Sequence, residues 1–293
     1  MMNAPRNERN NDREEARKQA KKMQRAGAKR EKRNRFLLQG SLAVVSLAVV
    51  GALIAVIVAG ANSGDTNNTT GPLNMQSDGI KIGQDNIAVR TVALAPDQDP
   101  IATPANDAGV VDITLFVDYL CPICGEFEKE NGSVIEDLVS RGAATLEVHP
   151  ISILDTRSNG TQYSTRAANA AACMANSYPD SFMTFHNLLY ANQPAEGTSG
   201  LTDDQLVEFA HQAGATSTID DCIRRNNFGN WVDAATVRAT QENKIAINNL
   251  DPTFEGVTGT PTVIINGKKI ELSYPFSKGE FLAAVQAAST VSQ

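Results

Sequence analysis

Between Arg35 and Asn62 the chain runs for 26 residues, Phe36 to Ala61, without a single charge. A helix needs about 20 apolar residues to cross a hydrocarbon core, so this run is long enough even when tilted. Such a segment forces the rest of the chain to be sorted to two sides of a membrane. Residues 1–35 carry 13 Lys and Arg against 5 acids, a net of +8. Basic residues stay on the cytoplasmic side, which predicts a single-pass anchor over 36–61 with the N-terminus in the cytoplasm and the C-terminal body outside it. A cleaved signal peptide is the rival reading, because Ala59-Gly60-Ala61 resembles a small-residue cleavage site. Signal h-regions run only about 7–15 residues, and here the basic lead is also too long.

Charge then narrows the function classes. The whole chain has a formal net charge of −7, so with +8 in the tail the remainder carries −15. A body this acidic argues against nucleic acid as its main partner. The tail's Lys and Arg could meet RNA or anionic lipid, but orienting the anchor is sufficient reason for them. All four cysteines, Cys121, Cys124, Cys173 and Cys222, follow the anchor and so face an oxidising compartment where disulfides are allowed.

Residues 62–79 are polar and rich in Gly, Asn and Thr, and read as a flexible linker. Ile80–Leu94 suggests one or two short strands, and 95–109, with three prolines, a surface loop. Val110–Tyr119 and Ala144–Leu154 are predicted strands. The helix between them is expected to kink or split at Asn131-Gly132, with Ser133 and Glu136 as a capping box for its second piece. From about 160 to 249 the pattern is helical, with a capping box at Thr202 and Gln205. Pro261–Ile265 and Lys268–Leu272 form a predicted hairpin around Asn266-Gly267. A last helix over 277–288 is expected to turn Phe281, Leu282 and Val285 inward. No internal repeat is present. Strands interleaved with helices define an α/β domain over 80–293.

Cys121-Pro122-Ile123-Cys124 falls where the first long strand meets its helix. A helix start offers unpaired N–H groups and the positive end of the dipole, both of which favour a thiolate on the first cysteine. Pro122 suits the first turn, where a missing N–H costs nothing. Cys121 is then the attacking thiolate and Cys124 the buried resolving thiol. Zinc would need two more ligands from Cys173, Cys222, His149, His186 and His211, none of them paired at short spacing. An inert disulfide is a poor use of so tight a loop. The three histidines read as core or surface residues.

CPIC after a strand, together with Gly259-Thr260-Pro261-Thr262 before the final hairpin, resembles the DsbA-like branch of the thioredoxin superfamily. HPISILD (149–155) and FHNLLYANQP (185–194) are also similar to its membrane-anchored actinobacterial members of MdbA type. The resemblance spans about 80–290 and implies a thioredoxin-like fold with an inserted helical domain. It implies a cis Pro261 facing the redox pair, with the Thr260 backbone receiving an extended substrate. A proline opening a strand also sits where the ladder needs no donor. With Cys121 and Cys124 as the working pair, Cys173 and Cys222 are left to form a structural disulfide, stabilising by about 4 kcal/mol in the chain-entropy model.

The implied function is a thiol:disulfide oxidoreductase of the cell envelope that introduces disulfides into exported, unfolded proteins. It needs no cofactor beyond the Cys121–Cys124 disulfide and no metal. Its expected partners are substrate thiols, membrane lipid around the anchor, and a quinone-linked membrane reoxidant of vitamin K epoxide reductase or DsbB type. The alternatives are a reductase or isomerase of the same fold, and a non-catalytic peptide-binding adaptor. Two departures from the strongly oxidising members point to a milder oxidant. Ile123 stands where those often have His, and Leu115 stands six residues before Cys121, where many thioredoxin-like proteins keep a buried acid. Asp118, Glu126, Glu128 and Glu130 against Lys129 also oppose a thiolate.

Overall fold

The computed structural model describes residues 70–291. The expected cytoplasmic tail, the spanning segment 36–61 and the first part of the linker lie outside the described residues. Among the described residues no helix is long and apolar enough to cross a membrane.

Five strands make one sheet in the order β1-β3-β2-β4-β5: β1 Ile80–Ile82, β2 Val111–Val117, β3 Ala144–Pro150, β4 Thr262–Ile265 and β5 Lys268–Ile270. β2 and β3 run parallel, joined through α1 (Pro122–Ser140), and the other pairs are antiparallel. Side chains alternate across a strand. Ile113, Leu115 and Val117 of β2 enter the main core with Phe127 of α1 and Phe281 of α7 (Lys278–Val291), whereas Phe116 joins a smaller cluster on Ala239, Ile247 and Val257. Both faces are therefore covered, which is why every residue of β2 and β3 is buried.

Between β3 and β4 the chain forms five helices: α2 Tyr163–Ser177, α3 Phe182–Ala191, α4 Asp203–Gln212, α5 Asp220–Arg224 and α6 Gly229–Thr240. α2 is their centre: its alanines and Cys173 are fully buried, and only small residues let neighbouring helices approach on several sides. The Thr202–Gln205 capping box forms at the start of α4.

Three expectations need correction. The linker ends earlier than 79, because residues 70–79 pack onto the domain. Their polar side chains are spent on internal bonds: Asn74 donates to the Ala175 carbonyl at 2.8 Å, and Asp78 takes a two-pronged ion pair from Arg238 at 2.7 Å. Helix α1 runs unbroken through Asn131-Gly132, so Ser133 caps nothing. A mid-helix glycine costs about 1 kcal/mol, and the buried face of a 19-residue helix outweighs it. The 80–94 stretch does hold one of the one or two short strands expected there, with a further bridge from Ile82 to Ala88. In α7, Phe281 and Val285 point inward one turn apart, but Leu282 is turned out and 41% exposed. The Asn266-Gly267 turn has positive φ at both residues, 48° and 81°, as a tight hairpin of that type requires.

Candidate active site

β2 delivers the chain to a short turn, Asp118–Leu120, and Cys121 becomes the N-cap of α1 with extended backbone. Its N–H donates to the Asp118 carbonyl at 3.0 Å, and its own carbonyl takes the first helical bond from Gly125 at 3.2 Å. Pro122 occupies the opening turn. The strand–helix junction thus places Cys121 over the open N–H groups of α1 and Cys124 one turn inside.

The two thiols are free and differ sharply. Cys121 is 6% exposed and Cys124 is wholly buried. The Cys121 thiol is lowered from 9.0 to about 6, first by the hydrogen bond from the Cys124 thiol, then by the Thr260 side chain and the N–H groups of Cys124 and Ile123, against an opposing burial cost. Burial first, and the bond to Cys121 second, push the Cys124 thiol well above 9.0. One sulfur is held ready as a thiolate at neutral pH and its partner is held protonated.

The second half of the site comes from the loop entering β4. The Thr260–Pro261 peptide is cis, and the Cys121 Sγ lies 3.3 Å from the Thr260 carbonyl oxygen. The buried Thr260 hydroxyl satisfies no well-formed hydrogen bond elsewhere. Thr262 Oγ1 pins the turn by donating to the Gly259 carbonyl at 2.7 Å. Beside this loop an open groove of about 420 Å³ is lined by Ile123, Thr260, Pro261, Leu272, Tyr274 and Phe276. Ile123 and Tyr274 are exposed at 39% and 61%, so extended polypeptide would meet apolar surface there.

The helical block holds the site from the other side. Tyr119 Oη lies 3.2 Å from His186 Nδ1, and His186 Nε2 lies 3.1 Å from Glu128 Oε1, all in the buried seam between α1 and α3. Tyr190 donates to the Asp118 carbonyl at 3.4 Å. Cys173 and Cys222 are joined by a disulfide between α2 and α5, with Cα atoms 6.0 Å apart, remote in sequence from the free pair. Among the described residues no group of three or more His, Cys, Asp or Glu side chains is arranged to hold a metal.

Sequence reasoning found only part of what Asp118 does: its charge and that of Cys121 do oppose one another. It reads as one of several nearby acids opposing a thiolate, yet its side chain is fully buried. Its two oxygens accept from the N–H of Leu120 at 2.8 Å and of Leu154 at 2.9 Å, tying the redox turn to the loop after β3. Burial raises this carboxyl from 3.8 to about 6, so it is partly protonated near neutrality. Glu128, counted in the same group, is turned toward His186.

A strand–CxxC–helix junction facing a cis-proline loop, on a sheet of this order, defines a thioredoxin-fold dithiol protein. The chain belongs to the thioredoxin family: a family model described as Thioredoxin (Thioredoxin_4) matches residues 105–286. Within it the chain is DsbA-like, with a fold of the thiol–disulfide oxidoreductase type. The reduced DsbA of Mycobacterium tuberculosis is 26% identical with a TM-score of 0.53, over 74% of this chain and 100% of that one. The reduced disulfide bond oxidoreductase DsbG of the same organism matches at 26% identity and a TM-score of 0.53, over 73% of this chain and 94% of that one. Serine/threonine-protein kinase PknE of M. tuberculosis (strain ATCC 25618 / H37Rv) is 31% identical over 157 residues. That match covers 52% of this chain and only 26% of the kinase.

Proposed function

We propose that this protein is a membrane-anchored oxidase of exported proteins, working through the Cys121–Cys124 disulfide. The asymmetry of the two thiols carries the reading. With the pair oxidised, a substrate thiolate attacks Cys121 Sγ; the Cys121–Cys124 bond breaks and a mixed disulfide forms. The electron pair leaves on Cys124, which takes up a proton because its thiol is pushed well above 9.0. A second substrate thiolate attacks the substrate sulfur of the mixed disulfide and expels Cys121. That sulfur, titrating at about 6, leaves as a stable thiolate. Two substrate thiols have become one disulfide, and the protein has gained two electrons. A quinone-linked membrane partner would return the pair to the disulfide, and the anchor over 36–61 would keep the two in one bilayer.

The reducing or isomerising direction uses the same atoms, so direction is the point to test. The oxidised protein is mixed with a reduced, unfolded two-cysteine polypeptide, and substrate disulfides and enzyme thiols are counted. The oxidase reading expects one substrate disulfide per enzyme pair reduced, and none with Cys121→Ser. Failure to oxidise this substrate, with rapid reduction of insulin by the dithiol form, would assign the reductase instead. Peptide binding that survives Cys121→Ser without any thiol exchange would assign the adaptor.

A further inference from the structure

Gln193 lies just past the end of α3, 72 residues from Cys121 in sequence, yet its carboxamide reaches the backbone of the redox turn. Its Nε2 donates to the Tyr119 carbonyl at 3.1 Å and to the Cys121 carbonyl at 2.8 Å, spending both amide hydrogens. The other end of the same carboxamide is seated on Gly125, the first residue after the CPIC motif. A Cβ at position 125 would stand 2.2 Å from Gln193 Oε1 and 3.1 Å from its Cδ. Gly125 is an ordinary helical residue of α1, so backbone freedom does not account for a glycine there. The space taken by Gln193 does.

We infer that Gln193 is a positioning residue of the redox pair: its carboxamide, seated on Gly125, clamps the carbonyls on either side of Leu120 and fixes the turn that presents Cys121 at the start of α1. This rests on the redox reading of the pair given above. The donors that hold the Cys121 thiolate, the Cys124 thiol and the first N–H groups of α1, act only while that turn keeps its geometry. Loosening it takes this donor from the Tyr119 carbonyl, leaves the Cys121 carbonyl only its helical bond from Gly125, and moves Cys121 Sγ off the helix start, so the thiol becomes less acidic and the disulfide less oxidising. Any side chain at 125 must displace the carboxamide. Gly125→Ala therefore removes the same two hydrogen bonds that a substitution at 193 removes.

The test uses the full chain with Gln193→Met, which keeps the length and loses the donors, with Gly125→Ala, and with both together. The Cys121 midpoint is read from thiolate absorbance in the reduced, folded proteins, and the redox equilibrium from glutathione mixtures. Each single variant should raise the midpoint by about half a pKa unit, a roughly threefold fall in the thiolate-to-thiol ratio at a given pH. The double variant should match the larger single, because both act on one contact. A merely structural role would lower the melting temperature and leave the Cys121 midpoint in place; that outcome, or shifts that simply add, overturns the inference. Should Gly125→Ala fail to fold, Gln193→Met decides alone. A wild-type pair that does not exchange with glutathione sinks the redox reading and the inference with it. A wild-type pair that exchanges while Gln193→Met behaves identically sinks the inference only.

Discussion

Replacing Cys121 with Ser should change the pH dependence of stability in a way fixed by the thiolate. In the folded, reduced protein the Cys121 thiol titrates at about 6, against 9.0 for an unperturbed thiol. The folded value is the lower one, so the thiolate stabilises the fold fully above pH 9 and the contribution is lost as pH falls through 6. Linkage gives under about 1 kcal/mol at pH 6 and about 3 kcal/mol at pH 8. Serine does not ionise in this range and forfeits all of it. The assay is urea unfolding of reduced wild type and reduced Cys121→Ser at pH 6 and pH 8. The gap between them should widen by about 2 kcal/mol on going to the higher pH. Reductant opens Cys173–Cys222 in both unfolded chains, so that cost cancels. Asp118, raised by burial from 3.8 to about 6, contributes with the opposite sign, its stability falling as pH rises through that window. It is present in both proteins and largely subtracts out. A gap that is the same at both pH values would mean that Cys121 is protonated at neutrality, and the argument for its role as the ready thiolate would fail.

Three other changes probe the scaffold. Arg238→Ala leaves Asp78, about nine-tenths buried, without its two-pronged partner, and should cost about 3–5 kcal/mol in chemical unfolding, together with earlier proteolysis of residues 70–79; a change under about 1 kcal/mol would restore the linker reading of that segment. Gly79→Ala sets a methyl 2.4 Å from the ring of His149, which is buried against Phe116 and would have to shift, so destabilisation of about 1–3 kcal/mol is expected in thermal melts. Replacing Cys173 and Cys222 together with Ala should lower stability by about 4 kcal/mol while leaving the Cys121–Cys124 potential unchanged, because the loop it closes spans 49 residues and excludes the redox turn; a shifted potential would instead make that disulfide part of the redox machinery.

The chemistry was legible in the sequence where a local pattern carried it. CPIC at a strand–helix boundary follows from short-range rules, and so do the Thr202 cap and the Asn266-Gly267 turn, since each is decided within a few residues. What the sequence concealed is decided by distant partners. Asn74, Asp78 and Ser77 look like tether residues until Ala175, Arg238 and Glu147 are brought to them. Asn131-Gly132 is a turn signal in isolation, but Asn131 is buried within α1 and bonds back to the Phe127 carbonyl. Asp118 read only as an acid near the thiolate because nothing in the sequence announced the two N–H groups it accepts from. Gln193 lies in the family-like stretch FHNLLYANQP, but that pattern assigns it no role: a glutamine after a helix becomes meaningful only when the fold lays it on Gly125.

The most direct test of the central claim is the reduction potential of the Cys121–Cys124 pair, measured in glutathione buffers at neutral pH on the full chain. A protein built to give disulfides away should lie above about −150 mV, well above the thioredoxin range. A value near about −270 mV would contradict the oxidase reading and make this dithiol a reductant.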